Sequence, residues 1–174
     1  ALLKGAGFVA VVGTSRDNPL GARRLDVAHR LGCQATYESR RQDVVAEIRR
    51  RFPDGVDRVI VTSPPVTLPE AIKCVRFGGC LALLGIDFSG HETVALDVNY
   101  MVFNKIAVRG VIAEPAMHFN TSLGLLKSKA VDPDFFLTHF ATFDTLGPIC
   151  RDVLERKIPA VKICLRTAPA AGVA

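Results

Sequence analysis

No run of apolar residues in this 174-residue chain approaches the ~20 that a helix needs to cross a bilayer, so no membrane partner is expected. The first residues, Ala1 to Gly7, lack the basic start, apolar middle and cleavage site of a secretory signal, which points to the cytoplasm. The five cysteines, Cys33, Cys74, Cys80, Cys150 and Cys164, form no C-x-x-C pair and are odd in number. Reduced, buried thiols are expected rather than a disulfide framework. His29, His91, His118 and His139 have no partners at metal-ligand spacing, and H-E-x-x-H does not occur. G-x-S-x-G and G-x-x-x-x-G-K-[ST] are missing too, which leaves no serine elbow and no phosphate-cradling loop of those kinds. Internal repeats, low-complexity stretches and an obvious linker are also lacking.

What is there is an ordinary globular composition, 49% hydrophobic and 22% charged, in a length that fits one domain with a real core. The net charge is +5, with arginines bunched at 23–24, 40–41 and 49–51. The last group falls at one end of an expected helix without interleaved aromatics, so it reads as a solvated face and not as a nucleic-acid stripe.

The stretch Asp54 to Asp87 organises the rest. Arg58 to Thr62 and Cys80 to Ile86 are apolar runs too short for helices and too continuous for half-exposed strands, so both read as strands buried on two faces. Between them Pro64, Pro65 and Pro69 mark a helix start. Leu68, Ala71, Ile72 and Val75 give that helix its inner face, and Gly78 and Gly79 its stop. The result is a βαβ unit with a parallel pair.

Taken in order, Phe8 to Val12 reads as a strand, Gly21 to Leu31 as a helix ended by Gly32, and Ala35 to Tyr37 as a short strand. A helix from Ser39 or Arg40 carries Val44, Val45, Ile48 and Phe52 on one face. After the βαβ unit come a short helix at Val98 to Phe103, a strand at Ile106 to Ala113 and a helix at Met117 to Ser128 with Leu123, Leu125 and Leu126 on one side. A strand at Thr138 to Ala141, a helix at Leu146 to Arg156 and a strand at Val161 to Leu165 close the chain. This alternation predicts an α/β, Rossmann-like, doubly wound and mostly parallel sheet. Ligands of such sheets bind beyond the carboxyl ends of the strands. The positions to watch are therefore Gly13 to Arg16, Thr62 to Pro65, Gly85 to Phe88 and Gly110 to Ala113.

Gly5, Gly7 and Ala10 spell G-x-G-x-x-A, but a strand follows where a dinucleotide fingerprint requires a helix, so the glycines read as a turn. The end of the first strand is more telling. A dinucleotide fold that prefers NAD places Asp or Glu there for the ribose hydroxyls; here Gly13 stands in the slot, followed by Thr14, Ser15 and Arg16. Losing a charged hydrogen bond shifts preference by about tenfold or more, toward NADP, and arginine can fork onto a ribose phosphate. A solvated loop with a chance arginine fits the same residues. Asp87 and Glu114 follow strands, but nothing pairs them as acid and base, so no catalytic set is expected on the chain.

The whole chain resembles the zinc-containing medium-chain dehydrogenases, the group of sorbitol, threonine and related alcohol dehydrogenases. The likeness runs through Gly5 to Arg16, then Arg24-Leu25, Ala28 and Leu31-Gly32 of an R-L-x-x-A-x-x-L-G helix. Its strongest part is Asp54-Gly55-Val56-Asp57 with Phe77-Gly78-Gly79 and Leu84-Gly85, and it continues through Asn104-Lys105, Thr138-His139-Phe140 and Val161-Lys162-Ile163. The resemblance implies that Gly13, Ser15, Arg16 and Arg24 line the adenosine end of NADP or NAD, and that Thr62, Ser63, Leu84, Gly85 and Ile86 flank the ribose and nicotinamide. Main chain at Val111 and Ala113 would meet the carboxamide, and Lys162 the pyrophosphate. Pro64 and Pro65 depart from the small residues usual after that strand.

The resemblance further implies a small alcohol or carbonyl substrate, a homo-oligomer, and zinc held only by a catalytic domain that this chain lacks. It makes residues 1–130 the coenzyme-binding domain, without its first strand and glycine-rich loop, and 131–174 a tail returning toward the catalytic domain. The lost strand should leave two apolar edges that invite pairing. Two further readings stay open, a zinc-independent quinone or enoyl reductase of the same superfamily, and a nucleotide-binding fragment without activity of its own.

Overall fold

The structure is a computed structural model that describes residues 7–13, 17, 19–112 and 115–167, with the side chains of 115 and 116 left aside. It divides into two compact units, residues 43–117 on one hand and 1–42 with 118–174 on the other. Each is taken by itself.

The unit of residues 43–117 holds the organising stretch. After strand β1 (Ala10–Gly13), helix α1 (Pro19–Arg30) and strand β2 (Ala35–Glu38) of the other unit, helix α2 spans Val44–Arg51, strand β3 Val56–Val61, helix α3 Leu68–Ala71, strand β4 Val75–Leu83, helix α4 Val98–Phe103 and strand β5 Ala107–Gly110. The three strands form one parallel sheet in the order β3-β4-β5. Its core is Val61, Leu68, Ile72, Val75, Leu81 and Ile106, with Tyr100 and Met101 of α4 packed against it. Leu68, Ile72 and Val75 are the inner face read from the sequence, so the apolar pattern chose the right side.

The helix itself is shorter than expected. A 3₁₀ turn at Pro65–Thr67, α3, and a second 3₁₀ turn at Ile72–Cys74 make up the crossover, and Val75 is already extended. Gly78 and Gly79 do not stop a helix; they lie inside β4, where the register jumps from Val56↔Val75 to Arg58↔Cys80. Gly78 takes φ +68° at that irregularity and its N–H donates to the Asn104 carbonyl at 2.8 Å. Glycine serves there because a side chain is strained in that conformation. Helix α2 also starts later than Ser39 or Arg40. Asp43 caps it by accepting from the Ala46 N–H at 3.0 Å, while Glu38 to Gln42 close a turn of their own.

Arg49 departs from the solvated face expected of the 49–51 run. Its guanidinium donates to the carbonyls of Lys73, Pro53 and Val75 and to the Tyr100 hydroxyl, all within 3.2 Å. One arginine thus ties α2, the end of the crossover and α4 together.

The other unit contains strand β1 (Ala10–Gly13), helix α1 (Pro19–Arg30), strand β2 (Ala35–Glu38), helix α5 (Pro115–Lys127, which begins in the first unit), strand β6 (Leu137–Ala141), helix α6 (Phe143–Leu154) and strand β7 (Lys162–Leu165). Its strands form two parallel pairs, β1-β2 and β6-β7. Leu25 and Ala28 of α1 are buried, together with Tyr37, Ala141 and Ala160. Leu123 and Leu126 of α5 remain exposed. Every described strand pair is parallel, which is the α/β Rossmann-like class. Val12 on β1 and Ile60 on β3 are about half exposed, on strands that each pair on one side only among the described residues, so β3 is not buried on two faces as its apolar run predicts. No described helix is long and apolar enough to cross a membrane.

Candidate functional site

Parallel strands pointing the same way bring their carboxyl ends to one edge of a sheet, and the unit of residues 43–117 does this with three of them. Leu84 and Gly85 donate their N–H groups to the Val61 carbonyl at 2.8 and 3.1 Å, and Val111 donates to the Leu83 carbonyl at 2.9 Å. Thr62 and Ser63 beyond β3, Leu84, Gly85 and Ile86 beyond β4, and Val111 beyond β5 are therefore brought together. Thr62 and Ser63 present exposed hydroxyls, and Leu84, Ile86, Val111 and Ile112 exposed apolar surface. A few hydroxyls beside apolar surface are the mixed lining of a small-molecule site.

Gly85 is there because of space. A Cβ on it would lie 1.7 Å from the Ser63 carbonyl oxygen, so only glycine lets β4 leave the sheet across the β3 exit. Pro64 then takes an extended conformation and Pro65 is buried at the start of the 3₁₀ turn. The two prolines thus fold the chain into the crossover without a glycine, at the cost of two main-chain donors. The Ser63 and Thr67 hydroxyls lie 2.6 Å apart. Thr67 was not visible as a site residue in the sequence; a hydroxyl four residues beyond an expected strand-end serine is the signal that could have found it.

Asp87, the carboxylate after β4, accepts from the Ser89 hydroxyl at 2.6 Å and from the Ser89 N–H at 2.5 Å. These two donors hold its pKa below the ordinary carboxylate value. An exposed carboxylate so stabilised in its charged form is a poor proton donor near neutrality.

Within the other unit, Gly13 ends β1 and its carbonyl accepts from the Ser39 N–H at 2.9 Å. A Cβ on Gly13 would lie 2.9 Å from Cδ2 of the buried Leu25. Arg24, beside Leu25 on α1, is exposed. Lys162 opens β7, paired with Leu137, and is exposed. Ser15, Arg16 and Ala113 lie outside the described residues, as do Gly5 and Glu114. A hollow of about 340 Å³ between α1 and the turn Pro133–Phe135 is lined by Arg23, Asp26, Arg30 and Phe135 but by none of the expected site residues. The Arg30 guanidinium closes it by lying 4.8 Å above the Phe135 ring.

All five cysteines are free thiols, but the burial expected of them holds only for Cys74, whose pKa it pushes up; Cys33, Cys80 and Cys164 are half-buried and Cys150 is exposed. Among the described residues, no three His, Cys, Asp or Glu side chains stand close enough to hold a metal ion.

Comparison with known proteins decides the family. The profile of the zinc-binding dehydrogenases matches residues 1–128. The chain belongs to that family. It is 30% identical over 165 residues to (R,R)-butanediol dehydrogenase of Bacillus subtilis, covering 94% of this chain and 45% of the relative. It is 28% identical to sorbitol dehydrogenase of the same organism, covering 93% and 43%. The crystal structure of benzyl alcohol dehydrogenase from Acinetobacter calcoaceticus superposes with a TM-score of 0.80 at 24% identity over 97% of this chain and 45% of that one, which establishes the fold. The chain spans about half the length of the curated relatives it matches. Zinc, which the family's name implies, does not fit the described residues of this half, since they assemble no ligand set.

Proposed function

We propose that this chain is the coenzyme-binding half of an NAD(P)-dependent alcohol or polyol dehydrogenase. The observation that carries the reading is the meeting of Thr62, Ser63, Leu84, Gly85, Ile86 and Val111 at the carboxyl edge of three parallel strands, in a chain of this family. Held there, a nicotinamide would supply hydride transfer between an alcohol carbon and the coenzyme. The chain's own residues hold and orient it. Thr62 and Ser63 meet ribose hydroxyls, Leu84 and Ile86 flank the nicotinamide, and main chain at Val111 and Ala113 meets the carboxamide. Gly13, Ser15, Arg16 and Arg24 line the adenosine end, and Lys162 faces the pyrophosphate.

NADP is the favoured coenzyme. Gly13 offers no carboxylate where one would select NAD, and a Cβ there would have to displace the end of the Leu25 side chain, whereas Arg16 and Arg24 offer positive charge to a ribose phosphate. Residues 1–130 form the coenzyme domain in this reading and 131–174 a tail that returns toward the rest of the protein. The substrate, a small alcohol or carbonyl compound, and the zinc that polarises its oxygen fall to the part of the relatives' length that this chain does not span. The whole protein is a cytoplasmic homo-oligomer.

The test is calorimetric titration of the chain with NADP and NAD side by side, with Arg16→Ala as control. NADP is expected to bind more tightly, with the preference falling in Arg16→Ala. Binding of neither coenzyme would overturn the reading for this chain.

A further inference from the structure

Ser63 is held from two sides. Its main chain carries Gly85 pressed against it, with no space for so much as a methyl group between the two backbones. Its hydroxyl lies 2.6 Å from that of Thr67, and the Thr67 hydroxyl donates to the Pro64 carbonyl at 3.0 Å. A hydroxyl has one hydrogen and two lone pairs. The Pro64 carbonyl also accepts from the Thr67 N–H at 3.1 Å, and both hydroxyl contacts are hydrogen bonds at once only when Thr67 gives its single hydrogen to Pro64 and Ser63 gives its own to Thr67. The exposed Ser63 Oγ is then left with lone pairs only. Pro64 and Pro65, which follow it, have no N–H to offer a ligand.

We propose that Ser63 is a preorganised hydrogen-bond acceptor for a ribose hydroxyl of the nicotinamide dinucleotide, and that Thr67 is the positioning residue that fixes its polarity through the relay Ser63→Thr67→Pro64. The inference rests on the coenzyme reading and adds a chemical direction to it. A sugar hydroxyl has a hydrogen to give and matches an acceptor; an ionised phosphate has none and does not. Because relay and backbone are already in place, little freedom is lost when the ligand arrives.

The test is calorimetric titration of the chain with NADP and with a deoxyribose analogue of it, for the wild type, Ser63→Ala, Thr67→Val, Thr67→Ser and S63A/T67V, with thermal unfolding of each. Ser63→Ala and Thr67→Val are each expected to weaken binding about tenfold. The double variant is expected to bind no more weakly than Ser63→Ala, and Thr67→Ser, which keeps the hydroxyl, to bind like the wild type. The analogue should lose affinity for the wild type and little for Ser63→Ala, a comparison that does not depend on how well the Thr67 variants fold. Equal affinity of the wild type for NADP and its analogue would overturn the acceptor role while leaving the coenzyme reading intact. Additive losses in the double variant would overturn the relay alone. Absence of wild-type binding would remove the coenzyme reading and this inference with it.

Discussion

Asp57 and Arg76 meet across the irregular start of β4, with Nε 2.7 Å from Oδ1. The hydrogen bond from Arg76 and its charge hold the Asp57 carboxyl below its ordinary value of 3.8. A depressed folded pKa stabilises the fold above the unfolded value, and that contribution is lost as pH falls through the folded one. The Asp57 side chain is 74% exposed, so solvent and salt keep the effect small. Asp57→Asn is therefore expected to be slightly less stable than the wild type near pH 7, with the gap narrower at about pH 2, below the ordinary carboxyl value, because protonation removes the charge that Arg76 favours. Denaturant unfolding at the two pH values measures this. A gap of equal size at both would mean that the charge of Asp57 is not the cause. The pair was not legible in the sequence, because Asp57 and Arg76 are 19 residues apart and face each other only through the register shift in β4.

Helices in this chain end in a way that hides their ends from a reader of sequence. Gly32 follows α1 at φ +89°, and that stop was legible because it is a glycine. Lys105, Lys129 and Arg156 occupy the same left-handed conformation after α4, α5 and α6, at φ +49°, +54° and +58°. At Lys129 the turn is closed by Lys129 N–H on the Leu126 carbonyl and Ala130 N–H on the Leu125 carbonyl, both at 3.0 Å. A basic residue suits the negative end of a helix but strains its backbone in that region. Lys129→Gly is expected to stabilise the chain by about 0.5–1 kcal/mol, the relief of strain less the entropy glycine adds to the unfolded state. Lys105→Gly should gain less, since the Lys105 ammonium lies 5.4 Å from the centre of the Phe77 ring and that contact would go. Thermal unfolding of both variants checks the order. The same disguise explains why α6, expected to run to Arg156, stops at Leu154, although its start at Phe143 instead of Leu146 has another cause, the Thr142 cap; α4, which the sequence marks with Asp97 at its start, fell where expected. The strands were legible from their apolar runs, but their ends were not: β4 stops at Leu83 and β5 at Gly110, where the runs predict strands to Ile86 and Ala113. Thr67 was not legible either, because only the prolines' fold into a 3₁₀ turn returns its hydroxyl to Ser63.

At the scale of the whole chain, the two units differ in how their sheets are completed. Strand β4 pairs on both sides, with β3 and with β5, and Val75 and Leu81 on it are fully buried. The other unit has only two-stranded parallel pairs among its described residues, and its fully buried large side chain is Leu25 of α1. Two strands alone bury little and are marginal in water, and amide exchange follows local burial and bonding. Amides of β3 and β4 that are bonded in the sheet are therefore expected to exchange most slowly, by global unfolding. Those of β1, β2, β6 and β7 should exchange through smaller openings, at least about tenfold faster. Hydrogen exchange followed strand by strand measures this directly. Uniform protection across all seven strands would mean that the chain opens only as one cooperative body. If the coenzyme reading holds, adding NADP should slow exchange most at β1 and β7, because those strands carry Gly13 and Lys162 and have the most protection to gain.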